Sequence, residues 1–199
     1  MRYCLRMQIL LVDGFYSQDE IPALVKRALE NRGHDVMVLN LIDEGFDAFM
    51  SDQERLAYHE VANLITNPQQ QSAKILKEVD ALFICYPMVE GLFPPHVKSW
   101  FERVFIPGIS FVFSPKGRVK RALKNLRKIA IVSFSDSGQS PLRRRTDPNR
   151  SLLRAIRMNS HLLCRSHLLH LQNTGNLNEQ IANGIDLIAA NDFHSKEEV

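Results

Sequence analysis

Short apolar runs alternate along this chain with segments in which apolar residues recur at helical spacing. Residues 7–12 form a mostly apolar run that stops at Asp13-Gly14, which predicts a buried strand followed by a turn. Residues 19–32 carry apolar residues on one helical face, and Gly33 follows as a helix stop. Asp35–Asn40 is a second strand-like run. A strand, a helix and a strand within ~35 residues predict a parallel pair joined by a right-handed crossover.

The same alternation continues to the end of the chain. Ser51 followed by Glu54 has the spacing of a capping box and predicts the start of a helix. Strands that alternate with helices form an open parallel sheet covered on both faces, so we expect an α/β fold. A length of 199 residues suits one domain with one core, spanning 1–199. Further strands are predicted at 81–86, 129–134 and 168–171, and further helices at 68–79, 95–105, 151–163 and 178–190.

The loops after the first, third and fourth strands are the expected place for a site. Ligands of open parallel sheets bind beyond the carboxyl ends of the strands, near the point where the strand order reverses. These loops are residues 13–20, 87–94 and 135–148.

Composition narrows the classes of protein and partner. Hydrophobic residues make up 45% of the chain and charged residues 24%, which is ordinary globular composition. The net charge of +3 does not imply a polyanionic partner. The apolar runs fall well short of the ~18 residues that indicate a membrane span, and the first residues lack a secretory signal pattern. Cys4, Cys85 and Cys164 are too far apart to suggest a disulfide framework, so we expect a cytoplasmic protein.

Two local clusters invite a functional interpretation that the sequence does not support. His161, Cys164, His167 and His170 recur every third residue, which drifts ~60° per step around a helix, so no metal site is expected. The run at 143–145 is three arginines without aromatic interleaving or a known module, so no nucleic-acid partner is expected.

The segment after the third strand carries a recognisable pattern. Residues 86–105 read YPMVEGLFPPHVKSWFERVF, and residues 106–111 read IPGISF. These residues resemble the aromatic-Pro, Lys-x-Trp and Arg-Val-Phe pattern of flavin-dependent quinone reductases and modulator-of-drug-activity proteins. Residues 50–59, MSDQERLAYH, also resemble one branch of that family.

The resemblance implies a flavodoxin-like three-layer sandwich with a five-stranded parallel sheet in the order 2-1-3-4-5. It implies FMN or FAD as the cofactor, NAD(P)H as the co-substrate and a quinone-like small molecule as the acceptor. It also implies a homodimer, for which Trp100, Phe101 and residues 105–113 could supply apolar surface. No essential protein general acid is expected for hydride transfer, and no catalytic residue is assigned. The implied cofactor-binding residues are Phe15, Tyr16, Ser17, Tyr86, Pro87, Met88, Val89, Ser135, Asp136, Ser137 and Gly138.

The same loops also carry residues that disfavour a flavin. Asp19 and Glu20 stand where its phosphate would lie, although Asp19 could instead cap the following helix. Val89 and Glu90 replace the family's usual aromatic residues, and Asp136 adds an acid to the fourth-strand loop. Two hypotheses therefore remain open: a flavin-dependent NAD(P)H oxidoreductase, or a flavodoxin-like protein that has lost flavin binding and acts as a binding or regulatory module.

Overall fold

The fold is a twisted parallel sheet between two layers of helices, with a small hairpin added after the fourth helix. It comes from a computed structural model that describes residues 6–16, 19–46, 49–60, 63, 66–136, 147–173 and 175–190. The strands are β1 (Gln8–Asp13), β2 (Asp35–Asn40), β3 (Ala81–Pro87), β4 (Phe111–Phe113), β5 (Val119–Arg121), β6 (Lys128–Ser135) and β7 (Arg165–Gln172). The helices are α1 (Glu20–Glu30), α2 (Asp52–Ala57), α3 (Asn67–Glu78), α4 (Pro95–Val104), α5 (Pro148–Asn159) and α6 (Leu177–Ala190).

The five long strands are parallel and lie in the order β2-β1-β3-β6-β7. Because β4 and β5 form a separate hairpin, this order is the predicted 2-1-3-4-5, which confirms the expected fold class. The order reverses between β1 and β3, so a crevice for ligands is expected beyond the ends of these two strands.

Alternate residues of the central strands enter two different cores, as the two-residue period of a strand requires. In β1, Leu10 and Val12 belong to one core, whereas Ile9 and Leu11 belong to the other. The first core is closed by α3, α4 and α5, and the second by α1 and α6. This double burial explains why the central strands are continuous apolar runs.

The hairpin is the main addition to the predicted elements. Strands β4 and β5 pair antiparallel around the turn at 114–118. Among the residues that the structure describes, no helix has the length and apolar character to cross a bilayer.

Candidate ligand site at the carboxyl edge of the sheet

Loop one, which follows β1, is organised by the carboxylate of Asp13. This side chain is buried, and it accepts the backbone N–H of Phe15 at 3.0 Å and the Asn40 Nδ2 at 3.0 Å. A carboxylate that accepts the amide two residues ahead forms an Asx turn, which explains why the strand bends here. Burial raises the pKa of Asp13 despite these two hydrogen bonds, and the charges of Asp19 and Asp43 add to the rise.

The first turn of α4 holds loop one against the sheet. The Nε2–H of His96 donates to the Gly14 carbonyl at 2.8 Å, because a carbonyl can only accept. A Cβ on Gly14 would lie 2.5 Å from Cγ2 of Val97, so only glycine fits this approach. The Tyr16 ring packs edge-on against the His96 ring, with 4.7 Å between centroids. Burial lowers the pKa of His96, while the Gly14 carbonyl and the Asp13 charge oppose that shift.

The amino end of α1 is capped by its own side chains. Asp19 is the N-cap and accepts the Ile21 N–H at 2.9 Å, which confirms the capping alternative for this residue. Glu20 is an acidic residue in the first turn, and Pro22 has no N–H to offer. The helix therefore presents carboxylates and few unused donors at the end where an anion would otherwise bind.

Loop two, after β3, is a tight reversal. Val89 and Leu92 exchange backbone hydrogen bonds at 2.9 and 2.8 Å across the turn. Both turn residues have positive φ, 51° at Glu90 and 78° at Gly91, as a type I′ turn requires. Val89 and Leu92 are exposed, and Glu90 points away from the core as well.

A chain of polar side chains lies beneath the amino end of α5, inside an otherwise apolar layer. Tyr86 Oη donates to Asn149 Oδ1 at 2.5 Å, and Asn149 Nδ2 lies 3.5 Å from Ser133 Oγ. Ser133 Oγ lies 3.0 Å from Nδ1 of His170, and Ser135 Oγ lies 3.2 Å from its Nε2. The chain runs from the first core towards the carboxyl end of β6.

Burial shifts the pKa of two groups in this polar chain, Tyr86 and His170, in the direction that favours the uncharged form. Burial raises the pKa of Tyr86, and the Asp147 charge adds to that rise. Burial lowers the pKa of His170, while the Asp147 charge opposes the shift. Both side chains are therefore uncharged in the folded protein at neutral pH.

The structure places the sequence-predicted site residues in three different situations. Tyr86, Met88 and Ser135 lie together because the backbone N–H of Met88 donates to the Phe134 carbonyl at 2.7 Å, which ties loop two to β6. Asp136 accepts Nδ2 of Asn173 at 2.6 Å at the surface. The others lie as follows: Phe15 is buried in the second core, Tyr16 and Val89 are exposed, Pro87 is half-buried, and Ser17, Ser137 and Gly138 fall outside the described residues.

Asn149 was not predicted as a site residue, His170 was considered only as part of a metal cluster, and Asp13 only as a turn residue. Some signals were present. Asp147-Pro148 has the form of an N-cap followed by a proline at the first helical position, which places Asn149 in the first turn of α5. Ser133 and Ser135 are two residues apart in a strand, so they share a face. Their common partner lies 35 residues away from Ser135, and no local pattern predicts it.

Comparisons with known proteins agree with this architecture. A quinone oxidoreductase that uses NAD(P)H, from Methanothermobacter marburgensis, is 16% identical, with 92% of this chain and 98% of that chain covered and a TM-score of 0.72. An azoreductase from Bacillus anthracis is 13% identical, with 92% and 97% covered and a TM-score of 0.66. An FMN-dependent NADH-azoreductase from Bacillus anthracis, solved in complex with FMN, is 14% identical, with 92% and 97% covered and a TM-score of 0.63. No curated protein matches the sequence.

A family model described as having a flavodoxin-like fold matches residues 7–179. The match includes β1 through the start of α6, and therefore every strand of the sheet. The chain belongs to this family of flavodoxin-like proteins.

Proposed function

We propose that this chain is a member of its family that does not bind phosphate-bearing flavins, and that it works as a ligand-binding or regulatory module. The observation that carries this proposal is the state of loop one. Its Phe15 amide and the Ile21 amide at the start of α1 are both engaged by carboxylates of the chain itself, Asp13 and Asp19. Two amides that could donate to a phosphate thus donate to carboxylates of the chain, and a carboxylate repels a phosphate.

The described residues do not fit the phosphate of FMN or FAD. An anion at a helix end needs unpaired N–H groups and a positive local potential. Among the first three residues of α1, the Ile21 amide donates to Asp19 and Pro22 has no N–H. Only the Glu20 amide of these three remains for an anion. Two unit charges of like sign ~4 Å apart repel by about 1 kcal/mol in bulk water and about 4 kcal/mol near a protein surface. Asp13, Asp19 and Glu20 bring up to three such charges to the same loop.

Loop two gives the ring little support. An isoalloxazine ring gains most from an aromatic or broad apolar wall, since stacked aromatic surfaces bury a large area. In this chain the turn presents an aliphatic side chain, Val89, and beside it the carboxylate-bearing Glu90. The left-handed backbone conformation of Glu90 is the one that this tight turn requires, so the turn geometry is fixed.

A test of the proposal is to purify the full chain and measure its visible absorbance and its melting temperature with FMN or FAD. A flavin that binds only the folded state must raise the apparent stability. We expect a colourless protein whose melting temperature neither flavin raises. Visible flavin absorbance that copurifies with the chain, or a clear rise in melting temperature with FMN, would reject the proposal.

The second candidate function is a flavin-dependent NAD(P)H oxidoreductase that reduces quinones or similar small acceptors. It is supported by the well-packed helix α4, which follows β3. Trp100 of this helix is completely buried, and its Nε1–H donates to Ser72 Oγ at 2.7 Å. One fold can support many functions, so the packing of α4 indicates common ancestry more than it indicates activity. Oxidation of NADH or NADPH by the purified chain with added FMN, at a rate above that of FMN alone, would favour this second function.

A further inference from the structure

Two segments lie side by side at the amino ends of β6 and β7, the edge of the sheet opposite the candidate ligand site. Residues 121–127 lead into β6, and residues 157–165 join the last turn of α5 to β7. Because the two segments are hydrogen-bonded along their length, their exposed side chains form one surface. The four bonds run from Arg121 Nε to the Met158 carbonyl at 3.1 Å, and from the amides of Leu123 to Asn159 O at 3.1 Å, His161 to Leu126 O at 3.1 Å and Arg165 to Arg127 O at 2.9 Å.

This surface, which we call the basic edge, is built from two acid-free stretches of the chain. Neither residues 103–135 nor residues 148–178 contain an aspartate or a glutamate. On the side of β3 the basic edge is bounded by Asp80, whose carboxylate accepts the Gln8 N–H at 2.9 Å. Positive charge is therefore concentrated here although the net charge of the chain is only +3. The exposed cations, which form no ion pair between residues that the structure describes, are Arg121, Lys124, Arg127 and Arg157.

Three apolar side chains are exposed among these cations. Met158 lies in the last turn of α5, and Leu162 and Leu163 form a turn that is closed by the bond from the Cys164 amide to the His161 carbonyl at 2.9 Å. The exposed fractions of the two leucine side chains are 70% and 76%. Single exposed apolar residues are ordinary on a protein surface, whereas a group of neighbouring ones indicates a surface for interaction.

We propose that the basic edge docks on the surface of a bilayer that contains anionic lipids, with Leu162 and Leu163 entering the boundary between headgroups and acyl chains. Anionic headgroups supply the negative charge that complements the four cations, and the acyl region covers the leucines. Cations beside exposed apolar side chains are the usual composition of an anchor that lies on a membrane. The inference does not depend on the proposed function, because it concerns the opposite edge of the sheet.

The chemistry of the basic edge disfavours two other occupants. A second copy seated on the same surface through a two-fold axis would bring two sets of cations together without a carboxylate between them. A nucleic acid would place phosphates against the exposed leucines, and residues 121–127 and 157–165 contain no Phe, Tyr or Trp on which a base could stack. A bilayer with anionic headgroups accepts the cations and the aliphatic side chains at the same time.

The first part of the test is cosedimentation of the full chain with vesicles of phosphatidylcholine alone, or of equal parts of phosphatidylcholine and phosphatidylserine. We expect binding only to the vesicles with phosphatidylserine, and weaker binding as salt is added. Lys124→Gln with Arg127→Gln should weaken it about tenfold. The control Arg27→Gln with Arg55→Gln removes the same charge from α1 and α2 and should leave it unchanged. No binding, equal binding to both vesicles, or an equal loss in the control would overturn the proposal.

The second part tests whether the leucine turn enters the bilayer. The single tryptophan of the chain, Trp100, is fully buried, so a tryptophan added by Leu163→Trp reports the surroundings of the turn. Its emission should shift to the blue with phosphatidylserine vesicles, whereas that of the control Leu56→Trp, at an 81% exposed position of α2, should not. Leu162→Ser with Leu163→Ser should weaken binding about tenfold. An unshifted emission of Leu163→Trp, or undiminished binding by the double serine variant, would contradict the proposal.

Two further results would assign the basic edge to another occupant. A dimer that forms with rising concentration and is lost in Leu162→Ser with Leu163→Ser would assign it to a second copy of the chain. Tighter binding to polyuridylate than to phosphatidylserine vesicles, unchanged by the same double variant, would assign it to a nucleic acid. Either result would overturn the proposal, whereas a flavin bound at the opposite edge would overturn only the proposed function.

Discussion

The carboxylate of Asp13 accepts the backbone N–H of Phe15 at 3.0 Å, and this contact sets the path of loop one. It turns the chain at the end of β1 and directs Phe15 into the second core. It also engages an amide at the edge of the sheet where a ligand would be received. Together with the bond from the Ile21 amide to Asp19, this contact satisfies donors for an anion from within the chain.

The close approach of loop one to α4 predicts a severe effect of Gly14→Ala. The added Cβ would lie 2.5 Å from Cγ2 of Val97, and overpacking of a buried contact costs about 1–3 kcal/mol in the free energy of unfolding. Urea unfolding measures this loss. In the double variant with Val97→Ala the loss should be smaller than the sum of the two single losses. Strict additivity would show that the two residues are not in contact.

Two histidines whose pKa is lowered by burial, His96 and His170, predict that stability declines in mild acid. The pKa values of His96 and His170 are both lowered, chiefly by burial, so the unfolded chain takes up protons before the folded protein does. The free energy of unfolding should therefore be full above the unfolded pKa of about 6.5 and should fall as the pH drops below it. Urea titrations from pH 8 to pH 5 measure this slope, and His170→Gln should reduce it. A free energy of unfolding that rises as the pH falls through this range would contradict the lowered pKa values of both rings.

The buried ion pair between α2 and α4 predicts a large cost for the loss of one partner. Glu54 lies 2.6 Å from Nε of Arg103, and both side chains are nearly inaccessible to solvent. Burial alone would raise the pKa of Glu54, but the contacts with Arg103 and Ser51 outweigh it and the pKa lies below its usual value. Glu54→Ala leaves a buried cation without its carboxylate, so we expect a loss of about 3–5 kcal/mol in urea unfolding. The exposed control Glu78→Ala should cost less than 1 kcal/mol, by the usual effect of surface changes. A loss of that small size for Glu54→Ala would show that Arg103 is hydrated.

The amino end of α1 predicts a gain of anion binding when its acids and its proline are replaced. Asp19→Asn keeps an N-cap, Glu20→Gln removes a charge, and Pro22→Ala restores an N–H in the first turn. The triple variant should bind inorganic phosphate at least about tenfold more tightly than the unmodified chain, since each unit charge removed is worth about 1 kcal/mol or more. Amide chemical shifts during a phosphate titration measure the affinity. Glu30→Gln at the other end of the helix is the matched control, and an equal gain there would indicate a general charge effect.

The order of the main elements was predictable because apolar residues recur in each one at the spacing typical of a strand or of a helix. The β2 strand at Asp35–Asn40 has the predicted bounds, and the capping box of Ser51 and Glu54 is present. The β7 strand is longer than the predicted 168–171, because polar residues such as Arg165 and Gln172 continue the ladder with β6. The hairpin of β4 and β5 was not predicted, since its strands of three residues are too short to show a period.

The position of the candidate site follows from the topology of the sheet, whereas its detailed contacts do not. A parallel sheet favours a site at the ends of β1, β3 and β6, and the acids of loop one are visible in the sequence. That the Asp13 carboxylate turns back onto Phe15 depends on local geometry that the residue types do not determine. The contact between Tyr86 and Asn149 joins residues 63 positions apart, so it follows only from the packing of α5 on the sheet.

The most direct test of the central claim compares FMN with riboflavin, which has the same ring and ribityl chain but lacks the phosphate. Isothermal titration of the full chain with each ligand gives the contribution of the phosphate as a ratio of affinities. If loop one excludes phosphate, FMN binds no more tightly than riboflavin. An FMN affinity tenfold or more above that of riboflavin would show that loop one still receives the phosphate, and would contradict the account.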